Sequence, residues 1–280
     1  MMNTVISARE LGRQVRSDWV LVDCRFDLAD PSLGERQYRA GHLPNAHYLH
    51  LDYHLSGPKN GQNGRHPLPD PQRLAVDLGT LGIGPETQVV SYDDSGGMFA
   101  ARAWWLLRWL GHEAVAVLDG GWQAWRGLGE EIDVRPSPRH TQRFTMRPAL
   151  VSCVTVDTIE NNLASRQFTV VDARAEDRFH GQNETLDPIG GHIPGAVNRF
   201  FRLNLDSDGC FKSPPELRAE WLRVLDSETS AQNVIHQCGS GVTACVNLLA
   251  MERAGLQGSR LYPGSWSEWC ADPARPVATV

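Results

Sequence analysis

Cys238 is followed by Gly239, Ser240 and Gly241 and preceded by the run Val234-Ile235-His236-Gln237. That order reads as a strand, a tight loop and a helix, because Ala244, Leu248, Leu249 and Met251 recur at helical spacing before Gly255. The amides of such a loop and of the first helical turn have no intrahelical partner. They converge on whatever the strand-end residue carries and favour an anion there. A thiolate is an anion, so the pattern predicts a cysteine of depressed pKa that is nucleophilic near neutral pH. Glycine at 239 and 241 suits backbone that curls closely around a ligand. An inert cysteine buried at a strand end is the plain alternative. A phosphatase-type cysteine loop is another, but it needs an arginine at the helix start to clamp phosphate, and Ala244 stands there.

The elements that must position this loop occur twice. Trp19-Val20-Leu21-Val22-Asp23-Cys24-Arg25 and then Gly41-His42-Leu43-Pro44-Asn45-Ala46 correspond to Phe168-Thr169-Val170-Val171-Asp172-Ala173-Arg174 and Gly191-His192-Ile193-Pro194-Gly195-Ala196. Asp119-Gly120-Gly121-Trp122 corresponds to Pro263-Gly264-Ser265-Trp266 at a nearly constant offset. This is a tandem duplication of a whole domain, not a short solenoid repeat. Expected boundaries are a first domain over 1–137, a linker over 138–150 around Arg135-Pro136-Ser137-Pro138-Arg139-His140, and a second domain over 151–280. Strands are expected at Val20–Asp23, Gln88–Tyr92, Ala114–Leu118, Thr169–Asp172, Asn233–Gln237 and Ser259–Tyr262. They alternate with helices such as Ala100–Leu110 and Thr243–Ala254. Such alternation predicts an α/β fold, each half a mostly parallel sheet with helices on both faces and active residues at the carboxyl ends of the strands. Where the second half has Cys238, the first has Tyr92-Asp93-Asp94-Ser95-Gly96-Gly97-Met98, with an aspartate at or next to the cysteine position. The first half should therefore lend structure rather than a nucleophile.

Composition bounds the partners. The 280 residues are 41% hydrophobic and 21% charged with a net charge of −6, which argues against nucleic acid or an anionic membrane surface. The start, Met1-Met2-Asn3-Thr4, lacks a basic region followed by an apolar run, and no apolar stretch reaches membrane-spanning length. A cytoplasmic protein is expected. Its 6 cysteines, Cys24, Cys153, Cys210, Cys238, Cys245 and Cys270, have no paired spacing and read as free thiols. Neither a metal site nor a cofactor is expected. His42 and His192, each in a turn before proline, read as local hydrogen-bonding residues. Trp104, Trp105 and Trp109 read as packing residues, and Cys245 as a small buried hydrophobe with a redox role as the alternative.

The Cys-Gly-Ser-Gly-Val-Thr loop, the two Gly-His-(Leu/Ile)-Pro motifs, Asp119-Gly120-Gly121-Trp122 and Tyr262-Pro263-Gly264-Ser265-Trp266-Ser267-Glu268-Trp269 together resemble the two-domain rhodanese superfamily, and within it the 3-mercaptopyruvate sulfurtransferases. The resemblance covers essentially the whole chain. It implies tandem rhodanese-like domains of which the second is catalytic. It also implies a Cys238 persulfide formed from a small anionic sulfur donor and passed to cyanide or a thiol, such as a thioredoxin-like protein or a small dithiol. Ser240, His66 and Asp52 match a proposed Ser-His-Asp relay, although the stretch between Asp52 and His66 is longer than usual and His66 could be a plain loop histidine. Gly239, Ser240, Gly241, Val242 and Thr243 form the loop that would hold the donor, and Arg178 matches the arginine that takes its carboxylate or sulfonate. The second substrate arginine of the mercaptopyruvate enzymes falls here on Asp187, which cannot bind an anion in that way. Uncharged Gly239 and Ser240 favour 3-mercaptopyruvate. The alternatives are a thiosulfate sulfurtransferase and a persulfide carrier or redox sensor without turnover.

Overall fold

The computed structural model describes residues 2–138, 140–226 and 229–280, so Arg139 of the expected linker lies outside the described residues. The chain divides into two units. The first takes the chain up to Gly57, then Pro69–Leu150 and Ser207–Phe211; the second takes Pro58–Leu68, Val151–Asp206 and Lys212–Val280. Beside a division into 1–137, a linker over 138–150 and 151–280, the first unit also takes the linker residues, and two short segments, Pro58–Leu68 and Ser207–Phe211, change sides. One of them carries His66, which therefore folds with the second unit. Gly64 shows why that segment seats there. Its φ is +82°, and a Cβ on it would lie 2.7 Å from the Gly264 carbonyl oxygen, so only glycine permits the approach.

The first unit is a sheet of β1 (Val5–Ser7), β2 (Val20–Asp23), β3 (Ala46–Tyr48), β4 (Val89–Tyr92) and β5 (Val115–Asp119), in the order β1-β5-β4-β2-β3. The second repeats it with β6 (Ser152–Cys153), β7 (Thr169–Asp172), β8 (Val197–Asn198), β9 (Val234–Gln237) and β10 (Arg260–Leu261), in the order β6-β10-β9-β7-β8. Every strand pairing is parallel. β2, β4 and β9 are buried along their whole length, as expected of central strands covered by helices. In the second unit the chain runs outward from β7 to β8 and, after β9, outward in the other direction. The crevice at a reversal of this kind, beyond the carboxyl ends of the strands, is where open α/β sheets place ligands. Cys238 follows β9 directly, at that point. Among the described residues no helix is long and apolar enough to cross a membrane.

The duplicated motifs are explained by what their side chains touch. Arg25 and Arg174 are buried, and each donates to a buried aspartate two residues earlier, Asp23 or Asp172, at 2.6 Å. Each also donates at 2.6 Å to the carbonyl of Gly41 or Gly191. Each guanidinium lies over an indole, that of Trp122 at 4.3 Å or Trp266 at 4.6 Å. A buried ion pair is sustained by further contacts to its guanidinium, here the carbonyl and the ring, and at Arg174 also Glu184 Oε2 at 3.6 Å from Nη1. His42 and His192 stack on Tyr38 and Phe179, and each bonds through Nδ1 to the carbonyl of that same residue. Their contacts are thus structural. Each unit has its own core: Leu11, Leu21, Val90, Ala116 and Leu118 belong to one, and Ile159, Val170, Ile235, Trp266 and Trp269 to the other.

Candidate active site

The loop after β9 is held from behind. Cys238 is 2% exposed. Its amide donates to Ser265 Oγ at 3.1 Å, and its carbonyl accepts from the Trp266 amide at 3.0 Å. The Gly239 carbonyl accepts from the Ser267 amide at 2.9 Å. The loop's curvature depends on Gly241, whose φ is +75°; a Cβ there would lie 2.3 Å from the Pro263 carbonyl oxygen. Val242, buried, and Thr243, half-buried, lead into the helix Ala244–Arg253. On that helix Cys245 is buried, and its thiol donates to the Gly241 carbonyl at 3.5 Å, a contact that suits a packing cysteine.

The first unit shows what such a loop binds. Asp93 follows β4 as Cys238 follows β9, and its carbonyl accepts from the Trp122 amide at 2.8 Å, the bond that Cys238 makes with Trp266. The aspartate in register with the cysteine is therefore Asp93. Its carboxylate oxygens accept from four loop amides: Ser95 at 2.8 Å, Gly97 at 3.0 Å, Phe99 at 2.8 Å and Ala100 at 2.8 Å. Burial raises the pKa of this carboxyl, opposed by the same four amides. Strand, loop and helix start thus form an anion cradle, and in this unit the chain fills it with its own side chain.

Around the Cys238 loop the second unit gathers a polar set. His66 and Ser240 are both buried, with His66 Nδ1 and Ser240 Oγ 2.7 Å apart. Arg178 donates to Glu184 through Nε at 3.0 Å and Nη2 at 2.9 Å, and through Nη2 to Asp187 at 3.3 Å. Asp187 also accepts from Arg65 Nη1. Burial raises the Asp187 carboxyl, with Arg65 pulling it down, whereas Glu184, also partly desolvated, is lowered by the Leu186 amide and Arg178. Asp52 lies in the first unit, where its amide donates to His50 Nδ1 at 3.1 Å. Sequence reasoning missed Arg65; its one signal was its place beside His66, in the glycine- and asparagine-rich segment. Among the described residues no cluster of three or more His, Cys, Asp and Glu could hold a metal ion.

A strand-end cysteine in an anion-cradling loop, on a duplicated five-stranded parallel sheet, defines the class. The chain belongs to the rhodanese family: the rhodanese-like domain matches it twice, over residues 7–128 and 155–272. It is 44% identical over 278 residues to the probable 3-mercaptopyruvate sulfurtransferase of Pseudomonas aeruginosa, covering 98% of each chain. It is 37% identical to the putative thiosulfate sulfurtransferase SseB of Mycobacterium tuberculosis, across 98% of this chain and 96% of that protein. The solved 3-mercaptopyruvate sulfurtransferase of Leishmania major superposes with a TM-score of 0.85 at 31% identity, over 96% of this chain and 75% of its own.

Proposed function

We propose that this protein is a sulfurtransferase that takes sulfur from 3-mercaptopyruvate onto Cys238 as a persulfide and hands it to a thiol acceptor, a thioredoxin-like protein or a small dithiol. The Cys238 thiolate attacks the donor sulfur, the carbon–sulfur bond breaks, and its electron pair leaves with the carbon as the enolate of pyruvate. That carbon then needs a proton. The observation that carries the reading is the buried 2.7 Å contact between Ser240 and His66, a proton path one turn of loop away from the nucleophile. In the second half-reaction an acceptor thiolate attacks the outer sulfur and the Cys238 thiolate departs, which restores the enzyme.

Charge supports the same donor. Glu184 and Asp187 offset the guanidinia of Arg178 and Arg65, so the site suits one carboxylate better than doubly charged thiosulfate. On this reading residues 1–137, apart from the Pro58–Leu68 segment that brings Arg65 and His66 to the second unit, form a non-catalytic domain, 138–150 a linker and 151–280 the catalytic domain. Cys24, Cys153, Cys210, Cys238, Cys245 and Cys270 form no disulfide among the described residues, which supports work in the reducing cytoplasm. The test is kcat/KM for both donors, measured side by side with cyanide and with a dithiol. Preference for 3-mercaptopyruvate is expected. A thiosulfate preference would reassign the protein, and a Cys238 that loads without turning over would make it a carrier.

A further inference from the structure

Two guanidinia, not one, face the nucleophile loop. A Cβ on Gly239, the residue after Cys238, would lie 2.7 Å from Arg65 Nη2, 3.6 Å from Arg178 Nη2 and 3.8 Å from Arg178 Nη1. Glycine at 239 leaves that space open. Between the two arginines sits Asp187, which accepts from Arg65 Nη1 and Arg178 Nη2. Its side chain is 3% exposed, while those of Arg65 and Arg178 are 28% and 20% exposed. The carboxylate is thus buried while the two arginines keep part of their side chains accessible. Two adjacent guanidinia repel each other unless an anion lies between them, and Asp187 supplies that anion. The backbone of Arg65 is fixed as well, since its amide donates to Ser267 Oγ at 3.0 Å.

We propose that Arg65 is a substrate-binding residue that, together with Arg178, takes the carboxylate of an α-keto acid donor, and that Asp187 is the positioning residue that holds both. Aspartate at 187 then marks a relocated guanidinium, delivered from the Pro58–Leu68 segment. A guanidinium has five N–H donors in a fork that matches a carboxylate, so Arg65 can keep Asp187 and still offer Nη2 to the donor. The proposal rests on the 3-mercaptopyruvate reading for its donor, but not for its geometry.

The test uses the full chain. In Arg65→Met, KM for 3-mercaptopyruvate should rise roughly ten- to hundred-fold, the usual cost of a lost charge-assisted bond, while kcat changes by less than about threefold. The Arg65→Met/Asp187→Asn double variant should keep the high KM. With dimethyl trisulfide, a neutral donor, the two variants should match the parent. An unchanged KM in Arg65→Met, a double variant restored to the parent KM, or an equal loss with the neutral donor would each overturn the assignment, the second by showing that Arg65 only neutralises Asp187. Calorimetric binding of 3-mercaptopyruvate to Cys238→Ser, with and without Arg65→Met, separates the two readings. If the parent does not turn over this donor yet the Arg65 change loosens its binding ten-fold, the donor assignment falls and Arg65 stands. Turnover with unloosened binding has the opposite meaning.

Discussion

Replacing Ser240 with alanine removes one oxygen from a buried pair, and two magnitudes separate its possible roles. As a folding contact, the 2.7 Å bond to His66 is worth about 1 kcal/mol net, so the melting temperature should fall by only a few degrees. As a step in delivering a proton to the departing enolate, it is worth about 10²- to 10⁴-fold in rate, or about 3–5 kcal/mol in the transition state. The donors then tell chemistry from loop shape. Pyruvate leaves as a carbanion equivalent that must be protonated, whereas sulfite leaves thiosulfate as a stable anion. Single-turnover release of pyruvate and of sulfite should therefore diverge in Ser240→Ala. The mercaptopyruvate rate should drop at least about a hundred-fold, and the thiosulfate rate should stay within about tenfold. Equal losses on both donors would refute the proton role and leave Ser240 as a residue that shapes the loop.

Cys238→Ser should abolish transfer, and mass spectrometry after donor treatment should place one added sulfur on Cys238; extra mass mapping elsewhere would sink the mechanism. Cys24 and Cys270 are buried, which pushes both thiols up, Cys270 to about 11, so they should resist alkylation at neutral pH while exposed Cys153 reacts. Gly241→Ala forces a Cβ to 2.3 Å from the Pro263 carbonyl at φ +75°, so it should lose more than the ~1–2 kcal/mol of a left-handed residue; an unchanged melting temperature would contradict the loop geometry. Burial holds His236 down to about 3, against about 6.5 for a free histidine. The unfolded chain thus binds one more proton below pH about 6.5. Stability should fall by up to about 1.4 kcal/mol per pH unit as pH drops from there toward 3, and it should be unaffected by this residue above about 7. Denaturant titrations of His236→Gln over that range should show a shallower slope, and an identical slope would rule the residue out as its source.

What the sequence could show depended on how local the cause was. Val20–Asp23 and Thr169–Asp172 form strands at the residues expected, because short apolar runs rich in β-branched residues mark central strands. The strands β1, β3, β6 and β8 span only two or three residues, too short for any period to register. The aspartate matching Cys238 was ambiguous by one position because the loop between Tyr92 and Ala100 is one residue longer than that between Gln237 and Ala244; only strand register resolves it. Arg65 was unreadable for a different reason. Its place beside Gly239 depends on Gly64 meeting Gly264 and on the Arg65 amide meeting Ser267, contacts about two hundred residues apart along the chain that no periodicity encodes.

The Asp93 cradle bears on how the two repeats divide stability between them. A carboxylate tethered to its own receptor has an effective concentration that no dissolved anion matches, so the first repeat is permanently saturated. Its folding is uncoupled from sulfur supply. Cys238 carries a thiol where the first repeat carries that carboxylate, so on the proposed function an anionic donor that binds there only in the folded state adds to the stability of the second unit by linkage. On that reading one repeat has a fold that its own side chain completes, and the other a fold that tightens when a donor anion is bound and relaxes when the anion leaves.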